Sequence, residues 1–309
     1  MFKYVNPGYI AFLNSSTASE VRVSDINPIN KVSFKQEERA ANIIFPENVT
    51  EVFIRTDIFF VPNPDNGKFT DNYCRIYAGA GSNVRTGTWV ESPTKLGLLN
   101  NDNDEGQFDV VNLQDKKPHT IELHMKIKDD DYNNNFIRVY VDGKLVKTYN
   151  DRYAIGGTSY FDRASLYGGP NTYFCNIIVA DHTCLNEKVV EVPIKEETTD
   201  FEKSGNDLKA TKVGQSVTGT IDFNSINKAI TDAMALGTIT SVGGGVCGFQ
   251  RNSDINVMDL TMTDRSGSVV ANTGRLVIST NNGVTGLAEG KTFKVDEIDG
   301  LKIKATVTK

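Results

Sequence analysis

Residues 119–150 read HTIELHMKIKDDDYNNNFIRVYVDGKLVKTYN, and the fold turns on how that stretch is read. Ile121, Leu123, Met125 and Ile127 alternate with Thr120, Glu122, His124, Lys126 and Lys128, the period of a strand with one buried face. After a polar loop, Ile137, Val139 and Val141 alternate with Arg138 and Tyr140. Asp142-Gly143 then supplies a two-residue turn, because Asp and Gly accept the positive φ angles that a tight hairpin needs. Leu145 and Val146 carry the chain back. Three consecutive antiparallel strands with one apolar face require a second sheet over that face.

Working outward, the N-terminal side predicts further short strands at 9–13, 32–34, 42–45 and 52–61, the last two separated by the turn signal Pro46-Glu47-Asn48. In 52–61 both alternating sets contain apolar residues, which suits a strand in the middle of a sandwich. Residues 62–67 (PNPDNG) read as a loop, 73–78 and 84–89 as strands, and 96–107 as a long polar excursion. With 164–167 and 173–180 this makes about a dozen short strands and no strong helix, an all-β jelly-roll-like sandwich.

Composition divides the chain. All eleven tyrosines, all nine prolines and the single tryptophan, Trp89, precede residue 195. Beyond it Gly, Thr, Asn, Asp and Val dominate. A chain of 309 residues accommodates two domains of about 100–200 residues each. The expected division is a sandwich at 1–195, a charged linker at 196–210, and a small β-rich domain at 211–309. In the last, Ile226, Ala229, Ile230, Ala233 and Met234 form one apolar stripe, predicting a helix over 226–236. Asn224 or Ser225 would cap its start and Gly237 its end. Strands are expected at 213–223, 257–262, 269–271, 275–279, 293–295 and 301–307, and the domain is the expected oligomerisation or anchoring unit.

The run IELHMKI, a loop, then FIRVYVDGKLV resembles the central strands of the concanavalin A-like lectin/glucanase sandwiches, the laminin-G-like group in particular. YFCNIIVA at 173–180, followed by Asp181, resembles the closing strand of that group. The resemblance covers about the first two thirds of the chain and implies the same two-sheet sandwich. The later phrases VPI, TTD, ATKVGQS and DEIDGLK, in this order, resemble the segment that follows such a sandwich in bacteriophage and prophage structural proteins, tail or head fibres among them. That resemblance implies a virion component assembled in a bacterial cytoplasm, with other virion proteins as partners and a homo-oligomeric state, a trimer favoured.

Several function classes are disfavoured. Net charge is -6 and no basic run is present to neutralise phosphates, so nucleic acid is not an expected partner. Asn6 and Pro7 interrupt what would be the apolar core of a leader, and no run approaches membrane-spanning length, so neither export signal nor membrane insertion is expected. Cys74, Cys175, Cys184 and Cys247 form no CxxC pair and read as reduced thiols packed as small apolar groups. Cys175, His182 and Cys184 are an alternative partial metal set.

Catalysis is not expected either. Glucanases of this fold carry carboxylates alternating on one strand, as in E-x-D-x-x-E, so that acid and nucleophile face one cleft about 5–5.5 Å apart. Here 52–61 offers Asp57 with Glu51 before it, the central strand offers Glu122 alone, and Asp296-Glu297-Ile298-Asp299-Gly300 reads as a hairpin. The three histidines, His119, His124 and His182, accompany no Gly-x-Ser-x-Gly elbow, and His124 reads as a plain surface residue. Two oxygen-rich loops are candidate calcium sites, one with Asp129, Asp131 and Asn133, the other with Asp102 and Asp104. The first lacks the Gly at Asn134 and the Glu at Tyr140 that an EF-hand loop would need. The resemblance also implies calcium at loop edges as a possible cofactor.

What remains is surface recognition, with a cell-surface glycan as the expected ligand. Sugar binding uses aromatic faces and planar polar groups, and the candidates are Trp89, Tyr153, Tyr160, Arg163, Tyr167 and Tyr173. The expected function is therefore a non-enzymatic virion protein with a lectin-like domain for host attachment. A capsid-decoration subunit without glycan binding, and less so a glycan-degrading hydrolase, are the alternatives.

Overall fold

The computed structural model describes residues 3–6, 18–21, 33–36, 40–62, 74–81, 84–100, 103–127, 135–150 and 159–183, single positions such as 8 and 26–27, and the backbone of short strands between 194 and 307. In chain order the first strands are β1 (Lys3–Asn6), β2 (Ala18–Val21), β3 (Ser33–Gln36), β4 (Ala41–Val49), β5 (Glu51–Phe60), β6 (Cys74–Ala80) and β7 (Val84–Ser92). They continue as β8 (Lys95–Asn100), β9 (Asn103–Asp109), β10 (His119–Lys126), β11 (Phe136–Val141), β12 (Lys144–Asn150), β13 (Phe161–Gly168) and β14 (Thr172–Ala180).

These strands build two sheets. The first has the order β12-β11-β10-β5-β14-β3-β2, with β1 also paired to β14; the second has the order β4-β13-β6-β7-β8-β9. The described pairings within both are antiparallel. Ile54, Ile58, Ile121 and Leu123 of the first sheet meet Ile76, Ala78, Leu96 and Leu166 of the second in one apolar core, each 0 % exposed. Fully burying a side chain of this size contributes about 1.5–3 kcal/mol, and the period-2 pattern supplies it from every central strand. The mainly β, two-layer architecture expected from residues 119–150 is what forms.

The central hairpin keeps the expected register. Ile121, Leu123 and Met125 lie opposite Val141, Val139 and Ile137. Asp142 and Gly143 turn the chain with φ of 50° and 75°. Strand β5 lies between β10 and β14 and is buried along most of its length on both faces, as its double apolar pattern requires.

Two local expectations are corrected. Pro46-Glu47-Asn48 is not the turn, because β4 continues through it to Val49. There the register slips, with Phe161 opposite Val49 but Arg163 opposite Ile44. Strand β4 is the edge of its sheet, so a proline lacking a donor is tolerated in an edge bulge. The crossing to the other sheet is made at Thr50, whose carbonyl accepts the Ile127 N–H at 2.7 Å. Likewise 96–107 is not an excursion but most of the hairpin β8–β9, with Leu96 and Leu98 in the core.

Beyond residue 194, Ile194–Thr199, Ser216–Ile221, Lys302–Val307, Val257–Thr263, Val269–Ile278 and Val284–Leu287 form a second antiparallel array in that spatial order. The strands expected at 269–271 and 275–279 are there a single strand. Glu202–Ser204 and Asp207–Lys209 pair within the stretch read as a linker. The helix expected over 226–236 lies outside the described residues.

Candidate binding face

The outward face of the second sheet is set by the residues that alternate with its core. In β6, Cys74, Ile76 and Ala78 point into the core, so Arg75, Tyr77 and Gly79 take the opposite face, where Tyr77 is itself buried at 7 % exposure. In β13, Ala164 and Leu166 are core, leaving Arg163, Ser165 and Tyr167 on the opposite face, where Ser165 is fully buried and donates to the Asn42 side-chain oxygen at 2.7 Å. Strand β7 presents Arg85, Gly87 and Trp89 by the same alternation. The ladder registers align these positions across three strands: Tyr167, Arg75 and Trp89 in one row, Ser165, Tyr77 and Gly87 in the next, Arg163, Gly79 and Arg85 in the third.

Missing side chains let the planar groups lie flat. Trp89 pairs with Gly97 of β8, and a Cβ on Gly97 would collide with the indole, its Cε2 atom lying 2.7 Å from that point. A Cβ on Gly79 would meet the Arg163 guanidinium carbon at 2.8 Å. Asp162 orients that guanidinium through a 2.8 Å ion pair and accepts the Gly81 N–H at 2.7 Å with its other oxygen. The indole Nε1–H is buried with no hydrogen-bond partner among the described residues. An unmet donor costs about 1–3 kcal/mol, so the ring is held against the sheet by packing.

The outward face of the first sheet is different in kind. Arg55 and Glu122 are each 2 % exposed at the side chain, with Arg55 Nε 3.3 Å from Glu122 Oε1. Arg55 also lies 3.4 Å from Asp57 and donates to the Asn176 carbonyl at 3.2 Å. Thr120 and Asn176 donate to the two oxygens of Asp57 at 2.6 and 2.7 Å. Asn176 stands at φ 51° where the register of β14 against β5 shifts, and it exchanges amide hydrogen bonds with the buried Asn27. The segment at Ile26 and Asn27 thus crosses this face, and the network is structural cement.

His124 is corrected from a plain surface residue. It is 9 % exposed, stacked on Phe53 with centroids 3.9 Å apart and edge-on to Phe136 at 4.8 Å. Its Nε2 lies 2.7 Å from Glu51 Oε1, and Lys126 donates to Glu51 Oε2 at 2.6 Å. Burial pushes the His124 imidazole below its ordinary value, offset in part by Glu51 and reinforced by Arg138 and Lys126. Burial would raise the Glu51 carboxyl, but its bonds to Lys126 and His124 outweigh that and hold it low. His119 sits at the turn, with Nδ1 2.9 Å from Asp142 and Nε2 3.0 Å from Asp115. Burial alone would lower its affinity for protons, but the two carboxylates together raise it above the ordinary value.

Of the expected ligand residues, the fold brings Trp89, Arg163 and Tyr167 onto one face. Tyr173 lies on β14 of the other sheet, opposite Phe59 and Lys35. Tyr160 stands half-buried just before β13, and Tyr153 is outside the described residues. The sequence reading missed Arg75 and Arg85, which the ladder places on the same face. Their signal was the alternation in CRIYAGA and VRTGTWV, strands assigned without asking which face each residue takes. The calcium candidates Asp129, Asp131, Asn133 and Asp102 lie outside the described residues, and of Asp104 the backbone in β9 alone is described. Among the described residues no group of three or more His, Cys, Asp or Glu gathers as a metal set. Cys74 and Cys175 are free and buried, and burial raises both thiols.

No known protein-family description matches the sequence, and no curated protein does. Among solved structures, the chain is similar to an endo-β-1,4-glucuronan lyase of the fungus Trichoderma reesei, at 12 % identity and a TM-score of 0.41 over 58 % of this chain and 95 % of that one. It is similar to a carbohydrate-binding module of Bacillus subtilis at 9 % identity and a TM-score of 0.36, over 54 % and 94 %. A galectin of Caenorhabditis elegans matches at 12 % identity and a TM-score of 0.32, over 48 % and 95 %. None of the three lends a residue role to this chain, whose candidate site stands on its own side chains.

Proposed function

We propose that this chain is a non-enzymatic recognition protein whose N-terminal sandwich binds a cell-surface glycan through the outward face of its second sheet. One observation carries the reading: Tyr167, Arg75 and Trp89 share a single ladder row, with the indole seated flat over Gly97. The apolar C–H face of a pyranose ring stacks on such an aromatic, and flanking guanidinium groups donate to its hydroxyls. Binding without cutting is supported by the other face, where Asp57 and Glu122 are occupied by Arg55, Thr120 and Asn176. Two carboxylates engaged in this way are poor candidates for opposed acid and nucleophile.

A shallow site of millimolar affinity is worth about 4 kcal/mol. Several copies held together raise avidity by about 10²–10⁴, which favours a homo-oligomer, a trimer by preference, anchored through residues 211–309. The sequence phrases that resemble bacteriophage structural proteins support placing it in a virion as a tail or head fibre-like component. Fluorescently labelled full-length protein on a glycan array tests the reading: saturable spots lost in Trp89→Ala support it, and an array blank at every glycan contradicts it. Release of new reducing ends from bacterial surface polysaccharide would instead establish chain cleavage, by hydrolysis or by elimination.

A further inference from the structure

We propose that His119 is a pH-operated clasp, holding the rim segment 115–118 against the β11–β12 turn while both of its ring nitrogens carry protons and releasing it when one is lost. Nδ1 lies 2.9 Å from Asp142 Oδ2 and Nε2 lies 3.0 Å from Asp115 Oδ1. Each nitrogen of a ring that is 7 % exposed therefore faces a carboxylate oxygen. An ionised carboxylate accepts and never donates, and a neutral imidazole donates from one nitrogen alone. Both contacts are hydrogen bonds in the imidazolium, and one of them turns repulsive in the neutral ring. Burial opposes the charged ring, but the two carboxylates outweigh it.

The two partners differ in how firmly they are held. Asp142 is fixed in the turn, its Oδ1 accepting the Thr120 N–H at 2.9 Å and its own N–H donating to the Thr120 carbonyl at 2.9 Å. Asp115 is exposed and tied locally, accepting the Lys117 N–H at 3.1 Å, with Lys117 Nζ 3.9 Å from its other oxygen. Between them Lys116 stands at φ 68°, a conformation that a side chain larger than glycine keeps where its surroundings impose it. Upstream, the Leu113 N–H donates to the Pro93 carbonyl at 2.8 Å and its side chain sits in the core, so release ends there. On β5, Ile58 lies opposite His119, and Asp57 is engaged by Arg55 and Thr120. Lys116 and, past the turn, Lys144 are exposed to solvent. The last proton thus stays on Nδ1 against Asp142, Asp115 turns away from the bare Nε2, and residues 115–118 lift. The clasp is closed below the ordinary value of 6.5 and opens as pH rises through the raised folded value.

The test is amide hydrogen exchange of the full-length protein, read by mass spectrometry on peptides covering 110–118 and 120–126 and corrected for the intrinsic rate at each pH. The expected result is protection of the 110–118 peptide about tenfold lower at about pH 9 than at about pH 6, with 120–126 unchanged. Spectra of ¹⁵N-histidine-labelled protein should show the neutral His119 ring protonated on Nδ1. His119→Gln should leave the 110–118 peptide poorly protected at both pH values. Asp115→Asn, a change at an exposed position, should keep it protected at about pH 9, because the amide donates to the bare Nε2 where the carboxylate cannot. Equal protection at both pH values in the parent, a pH response that survives in His119→Gln, or a loss in Asp115→Asn as large as the parent's would each overturn the clasp. So would a neutral ring protonated on Nε2.

Discussion

Gly97 shows how much a single missing methyl group decides. Its Cβ position is occupied by the Trp89 indole, so Gly97→Ala must lift the ring or shift β8. Overpacking of this kind costs about 1–3 kcal/mol, and the sandwich should still fold. The expected outcome is a red-shifted tryptophan emission, a melting temperature lowered by several degrees, and glycan binding weakened at least tenfold. The two described histidines of β10 make opposing predictions for pH. The His119 imidazolium is favoured in the fold, so its stabilisation is complete below the ordinary value of 6.5 and fades as pH rises through the raised folded value. His124 is favoured neutral, so its contribution is present above 6.5 and is lost as pH falls through the lowered folded value. Denaturant titrations between pH 5 and about 8 should therefore lose the falling limb in His119→Gln and the rising limb in His124→Gln; identical pH profiles for both variants and the parent would contradict the two assignments.

At the scale of strands, the ionic cement between β5, β10 and β14 makes a separate prediction. Removing one member of a buried pair leaves an uncompensated charge and costs about 3–5 kcal/mol, whereas replacing both by apolar residues is often neutral. Arg55→Met should destabilise strongly, and Arg55→Met with Glu122→Leu should recover most of that loss in urea unfolding. An additive double variant would show the two side chains do not act together. The legibility of each strand in the sequence follows the same physics. The hairpin β10–β11–β12 was readable because strict alternation coincides with an Asp-Gly turn. The end of β4 was misread because Pro46 signals a break, and whether an edge bulge absorbs it depends on β4 being the sheet edge, a property of the assembled sheet. Strand β8 was hidden by Gly97, whose place in the pattern makes sense once Trp89 is seen lying on it.

For the whole molecule, two layers were readable from apolar periodicity, but the binding face was only half so. Trp89, Arg163 and Tyr167 were selected as residue types that suit sugars, and their meeting depends on ladder register, which sequence spacing does not encode. Tyr173, chosen by the same criterion, belongs to the other sheet. The buried Arg55 network escaped notice because its members alternate as surface residues would and are covered by a segment, at Ile26 and Asn27, distant in the chain. Trp89 is the sole tryptophan of the chain, so its intrinsic fluorescence reports on the proposed face alone. A fluorescence titration of the full-length protein with a glycan it retains on an array is thus the most direct measurement. The account predicts a saturable shift or quench of Trp89 emission with a midpoint matching calorimetry. Glycan binding by calorimetry with unchanged Trp89 emission would contradict it.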